Sequence, residues 1–420
     1  MGWVKSLAPF LEAQSDWARD LLVRLIAFPS TPGAEAGVQA FLLDLLSRSG
    51  FDAAAAPIDD AIAEDPDYTP VPDRPGYLGR PNVLVRIAGA GTGRRAIVNT
   101  HVDVVPAPAE MFAATVHDGV IRGRGACDAK GQVVTALLAL RALRELGVGL
   151  AGGVEAQFVV EEEAGGNGSL AAIVGGRQAD AAVVLEPTGL VPRSANRGAA
   201  WFKITVEGRS VHMGRHAEGV SAFDAFVDLL PVLRDYEAEL RRDSRGTAGF
   251  PDDPSPVVVN IGRVRAGDWP STVPGECVAE GGVAFLPNRT ARRIETEIGD
   301  LIRARATPWA REHVHFALSG LRNEAFETPA AHPVVRTFRE AAEEVLGPRP
   351  VEGWNASCDA RLFFHRGGLP TVVFGAGDLG LAHALDERID LRDIVRAAEV
   401  LVRFLARFCG TGGKESGHAR

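Results

Sequence analysis

Three consecutive carboxylates, Glu161, Glu162 and Glu163, follow the apolar stretch "VEAQFVV" and precede the glycine-rich "AGGNGS". Adjacent like charges repel, and burying an unpaired carboxylate is costly. A solvated turn tolerates such a run, and so does a multivalent cation. The rest of the chain favours the cation. His101 and Asp103 follow "AIVNT", Asp128 lies in "GRGACDAKGQ", Glu186 follows "AAVVL", and His383 lies beyond "PTVVFG". Each residue alone has an ordinary explanation, such as a packed histidine, a helix-capping aspartate or a surface glutamate. Together they put two imidazoles and several carboxylates beyond the ends of apolar strands, where open α/β sheets bind ligands.

Imidazole and carboxylate without thiolate suit Zn²⁺, Co²⁺ or Mn²⁺ better than Mg²⁺ or Ca²⁺. Two divalent ions about 3.5–4 Å apart can share a carboxylate and a hydroxide. Asp128 is the natural bridge, with His101 and Glu186 on one ion and Glu163 and His383 on the other. Three carboxylates and one hydroxide balance four positive charges, which offsets the repulsion within the glutamate run. Asp103, on the same strand face as His101, is expected to accept the second ring N–H of His101 and fix its tautomer.

The elements that must position these residues alternate. "SDWARDLLVRLIAF" and "GVQAFLLDLLSRSG" carry apolar residues at helical spacing. "NVLVRIAG", "RAIVNTHVD", "VEAQFVV" and "AAVVLEP" are expected strands. "KGQVVTALLALRALREL" is a helix closed by Gly147. This βαβ order implies an α/β fold with a mostly parallel sheet covered by helices. From Ser194 the order becomes βαββαβ, with one long helix expected over "SAFDAFVDLLPVLRDYEAELRR", which is the ferredoxin-like arrangement. The expected division is therefore residues 1–193 with 321–420 as one domain and an inserted α+β domain at 194–320. "HPVVRTFREAAEEVLG", "PTVVFG" and "LRDIVRAAEVLVRFLARFC" return to the first pattern. The proline-rich stretch from Pro57 to Pro81 is an expected long loop to which the sequence assigns no role. The tail "GTGGKESGHAR" is expected to fray.

The motifs "THVDVVPA", "GRGACDAKGQ", "VEEEAGGNGS", "LEPTG", "GRSVHMGR" and "LAHALDE" occur in this order. From the first helix to Cys409 the chain resembles the dinuclear zinc amidohydrolases, which include aminoacylases, acetylornithine deacetylase, succinyl-diaminopimelate desuccinylase and bacterial glutamate carboxypeptidase. The resemblance implies a zinc-peptidase-like catalytic domain and two divalent ions, Zn²⁺ first and Co²⁺ or Mn²⁺ as alternatives. It implies the ligands His101, Asp128, Glu163, Glu186 and His383, with Glu162 as general base, Asp103 as the orienting carboxylate and His212 as a histidine reaching the partner subunit's active site from the lid. It also implies that the inserted domain is a lid and a homodimer interface. Glu161 stands where the family usually has aspartate and is expected to support the turn. The implied reaction is hydrolysis of an N-acyl amino acid or similar small amide by a metal-bridged hydroxide. The alternatives are a dipeptidase or carboxypeptidase on the same site, and a non-catalytic binding or regulatory protein of the same fold.

One departure bears on the substrate. Family members that bind a substrate carboxylate often carry an arginine after an "N-x-x-P" stretch in the lid. Here Ser271 replaces the asparagine and the arginine position falls near Ala284. Arg361, or Arg197, Arg263 and Arg265, are the candidate substitutes. Net charge is −9 with both signs well mixed, so no basic stripe suggests nucleic acid or an anionic membrane. No signal peptide or membrane span is expected. Cys127, Cys277, Cys358 and Cys409 are far apart, as free thiols of a cytoplasmic protein would be.

Overall fold

The computed structural model describes residues 2–71, 75–176, 178–250 and 256–411 of the 420-residue chain. It divides into two compact units. One comprises Met1–Ser194, Thr328–Glu352 and Cys358–Arg420, and the other Ala195–Glu327 with Gly353–Ser357. The second unit thus runs past residue 320 and takes in a short later segment.

The first unit is built on a sheet in the order Asp52–Ala56, Asn82–Ile87, Val154–Val159, Ala96–His101, Ala181–Leu185, Thr371–Phe374. The last four strands run parallel to one another, and the first two pair antiparallel. The strands Ala96–His101 and Ala181–Leu185 are buried along their whole length. That is why they read as continuous apolar runs rather than alternating ones. In register, His101 lies opposite Val159, so the ends of these two strands meet. Helix Lys130–Glu145 starts two residues after Asp128 and packs against helix Leu391–Phe408, which in turn packs on Pro333–Leu346. A small sheet joins Thr115–His117, Val120–Arg122 and Arg388–Asp390. It ties the chain before Asp128 to the chain after His383.

The second unit is ferredoxin-like. Its antiparallel sheet has the order Val258–Ala266, Glu276–Phe285, Gly198–Glu207, Val314–Asn323. Helices Leu230–Asp243 and Ala291–Arg305 pack against each other, and Phe202, Ile204, Tyr236, Ile294 and Ile298 fill the core. The single helix expected after Ser221 is two, Ala222–Val227 and Leu230–Asp243. Pro231 sits at the start of the second. It has no N–H to continue the first helix and is accommodated only in an opening turn.

Among the described residues no helix is long and apolar enough to cross a membrane. The four cysteines are buried and free. The tail beyond Thr411 lies outside the described residues.

Candidate metal centre

Several segments of the first unit bring ligand-type side chains together near His101. The Asp128 carboxylate stands between two histidines. Its Oδ1 lies 3.1 Å from His101 Nε2, and its Oδ2 lies 3.3 Å from His383 Nε2. Glu186 Oε2 lies 4.0 Å from His101 Nε2, and Glu163 Oε2 lies 3.0 Å from His383 Nε2. Two ligand groups result: His101, Asp128 and Glu186, and Asp128, Glu163 and His383. All five residues expected as ligands are therefore brought together, and Asp128 belongs to both groups.

These separations suit a metal. Zinc holds nitrogen and oxygen ligands at about 2.0–2.2 Å in tetrahedral array, which puts ligand atoms roughly 3.3–3.6 Å apart. The charges suit one too. Burial, then the neighbouring Asp128, pushes the Glu163 carboxyl up to about 7. Burial is also the chief cause that raises Glu186 well above the usual carboxylate range. Burial likewise raises Glu162, and Asp359 adds to it. His383, hydrogen-bonded to Asp128 and Glu163, is raised to about 10. Burial opposes the charge on His101, but Asp103 and Asp128 hold its pKa well above the usual value. Carboxylates this close cannot all ionise without compensating positive charge. A pair of divalent cations would supply it.

Asp103 acts differently from expectation. Its backbone carbonyl, not its carboxylate, makes the short contact to His101 Nδ1, at 3.0 Å. The carboxylate oxygen lies 3.5 Å away, too long for a good hydrogen bond. The carboxylate is occupied elsewhere: Glu162 N donates to Oδ1 at 3.1 Å and Glu163 N to Oδ2 at 3.0 Å. A carbonyl can only accept, so the contact places a proton on Nδ1 and leaves Nε2 facing Asp128 and Glu186. Asp103 thus contacts both the His101 ring and the glutamate turn.

The three glutamates have different surroundings. Glu163 belongs to a ligand group, and Glu162 belongs to neither, though His101, Glu186 and Glu163 all bear on its charge. Glu161 is fully buried and has left-handed backbone, with φ of 58°. Its carboxylate accepts from Tyr77 Oη at 2.7 Å, Arg80 Nη2 at 2.9 Å and Asn167 Nδ2 at 3.1 Å. Arg80 also donates to Glu35 at 2.6 Å. The stretch from Pro57 to Pro81 therefore serves the site, because it delivers Tyr77 and Arg80 beneath the glutamate turn. Arg80→Met leaves two buried carboxylates facing each other without a cation. It is expected to lower unfolding free energy by about 3–5 kcal/mol, read as a shifted urea midpoint, with partial recovery on adding Glu161→Gln.

Residues 97–407 match the model of the peptidase family M20/M25/M40. The chain belongs to this family. It is 26% identical over 362 residues to the N-formyl-4-amino-5-aminomethyl-2-methylpyrimidine deformylase of Halalkalibacterium halodurans, covering 79% of this chain and 84% of that protein. It is 31% identical over 339 residues to the acetylornithine deacetylase of Myxococcus xanthus, covering 78% and 84%. The fold matches the aminopeptidase PepT of Bacillus cereus with a TM-score of 0.74 at 20% identity, over 94% and 99% of the two chains. It also matches the YXEP protein of Bacillus subtilis, a dinuclear metal-binding peptidase of the M20 family, with a TM-score of 0.68 at 16% identity over 96% and 100%. The chain is a hydrolytic enzyme of a family whose members cleave amides.

The remaining expected residues lie as follows. His212 is exposed in the second unit and caps the turn Met213–Glu218, its Nδ1 accepting from Gly214 N at 3.1 Å. Ala284 is buried in a strand and carries no charge itself. Arg361 is buried, with Nη2 donating to Gly165 O at 2.7 Å. Arg263 pairs with Glu280 at 2.9 Å. Arg80, Arg124, Asp359 and Glu387 are buried and charged, and sequence reasoning missed all four. Two of them stand inside or beside the ligand motifs, Arg124 ahead of Asp128 and Glu387 four residues after His383.

Proposed function

We propose that this chain is a dinuclear metal-dependent deacylase that cleaves the amide bond of an N-acyl amino acid or a similarly small N-acyl amine. The observation that carries the reading is the Asp128 carboxylate, with one oxygen toward each histidine. His101 and Glu186 would hold one ion and Glu163 and His383 the other, with Asp128 common to both; Zn²⁺ suits the ligand set, and Co²⁺ or Mn²⁺ can replace it. Bound ions supply Lewis acidity at the amide carbonyl and a water acidic enough to attack at neutral pH. Glu162 takes the proton from the attacking water and delivers it to the leaving amine. Burial raises its pKa, and cations beside it would bring it back toward the working range. Asp103 holds the Glu162 amide and so the direction of its carboxylate.

The relatives named above favour removal of a small acyl group from an amine over cleavage of a dipeptide. The peptidases resemble this chain in fold, at 20% identity or less. The absence of arginine at Ala284 agrees with a substrate held by other means than a carboxylate clamp at that position. A panel of N-formyl, N-acetyl and N-succinyl amines and amino acids beside dipeptides, scored by amine release, tests this. Acylated amines are expected to turn over fastest. Faster dipeptide hydrolysis would assign the site to a peptidase.

The second unit acts as lid and homodimer interface in this reading, in a cytoplasmic protein whose buried free thiols suit a reducing compartment. His212 then serves the partner subunit. Because Nδ1 accepts from Gly214, Nε2 carries the proton and can donate to the carbonyl oxygen as it gains charge. His212→Ala is expected to keep its metals and lose turnover by about 10²–10³-fold. Mixing it with Glu162→Gln under subunit exchange is expected to restore part of the activity. Wild-type turnover by His212→Ala would remove the role, and a dead mixture with proven exchange would place the histidine in its own subunit's site.

A further inference from the structure

Two motifs that supply ligands also supply the partners of one buried ion pair. Arg124 Nη1 donates to Glu387 Oε2 at 2.6 Å, with side chains 3% and 0% exposed. Glu387 does more than balance that charge. Its Oε2 accepts from Gly125 N at 3.0 Å, and its Oε1 accepts from Cys127 N at 3.0 Å and Asp128 N at 3.1 Å. One carboxylate therefore gathers the backbone that carries Asp128. Arg124 completes the link, because its Nη2 donates to the carbonyl of His383 at 3.1 Å. His383 has left-handed backbone, with φ of 62°. A non-glycine residue keeps that conformation only where its surroundings hold it. The strand pairing of Arg388 with Arg122, and Gly123 N on Glu387 O at 3.0 Å, bring the two segments together.

Neither Arg124 nor Glu387 reaches the ligand atoms. We propose that they are positioning residues, a clamp that sets the distance between Asp128 and His383 and thereby governs affinity for the ion held with Glu163. This rests on the dinuclear reading above. The other ion relies on His101 and Glu186, which come from strands the clamp does not touch, so its binding depends on the clamp only through Asp128. The planar guanidinium serves carboxylate and carbonyl together from fixed directions. A lysine ammonium can neutralise Glu387 but lacks that fork.

The test is calorimetric titration of the metal-free full-length protein with Zn²⁺. Wild type is expected to take up two ions per chain. Arg124→Lys keeps the buried charge and is expected to fold, retain one ion, and bind the second roughly 10–100-fold more weakly. The double variant Arg124→Met with Glu387→Gln, which removes both charges of the pair, is expected to lose the same step. Should Arg124→Lys crystallise, its His383 carbonyl is expected to be released. If both variants bind two ions with wild-type affinity, the pair merely neutralises charge and the clamp is wrong. If wild type itself binds a single ion, the dinuclear reading fails and the clamp with it. Loss of both ions from a folded Arg124→Lys protein would also overturn the proposal, since it assigns the clamp to one ion.

Discussion

Glu162→Gln is expected to retain its metal complement and to lose turnover by about 10²–10⁴-fold, the usual worth of a positioned general base. The side chain stands among His101, Glu186 and Glu163 without belonging to either ligand group. Glutamine keeps the shape and removes the proton acceptor. Glu163→Gln is expected to behave in the opposite sense, with metal lost first and activity as a consequence, because its carboxylate faces His383 at 3.0 Å. Metal analysis and steady-state kinetics on both proteins separate the roles. Metal loss in Glu162→Gln together with retention in Glu163→Gln would mean that the two glutamates have exchanged roles.

Exhaustive chelation is expected to abolish hydrolysis, and Zn²⁺, Co²⁺ or Mn²⁺ to restore it. The histidines and carboxylates that would hold them are packed at 3.0–4.0 Å from one another. Chelation is further expected to lower thermal stability, since the bound ions offset repulsion among Asp128, Glu163 and Glu186 that the metal-free fold must otherwise relieve by protonation. Undiminished hydrolysis by protein shown to be metal-free would refute the metal requirement.

Much of the candidate ligand set is legible in the sequence because several members lie at the ends of apolar strands, and strand ends in such a sheet converge on one rim. His101, Glu163 and Glu186 are readable in that way, at or just beyond the ends of buried or mostly buried strands. What stays hidden depends on contacts between distant segments. Glu387 meets Arg124 across 263 residues, and Arg80 meets Glu161 across 81. Charge alone gives no sign that these four are buried, since such residues are mostly exposed. For Asp103 the sequence locates the residue but not its backbone contacts. A strand-face argument places a side chain and says nothing of the amides of Glu162 and Glu163 arriving from the next strand. The break between Val227 and Leu230 in the inserted domain is marked by Pro231, but helical periodicity runs through it and masks the boundary.

The bridging role of Asp128 is tested most directly by diffraction from zinc-loaded crystals with data at the zinc absorption edge. Two anomalous peaks about 3.5–4 Å apart are expected, one beside His101 and Glu186, the other beside Glu163 and His383, with one Asp128 oxygen on each. A single peak in fully loaded protein, or two peaks that do not share Asp128, would contradict it.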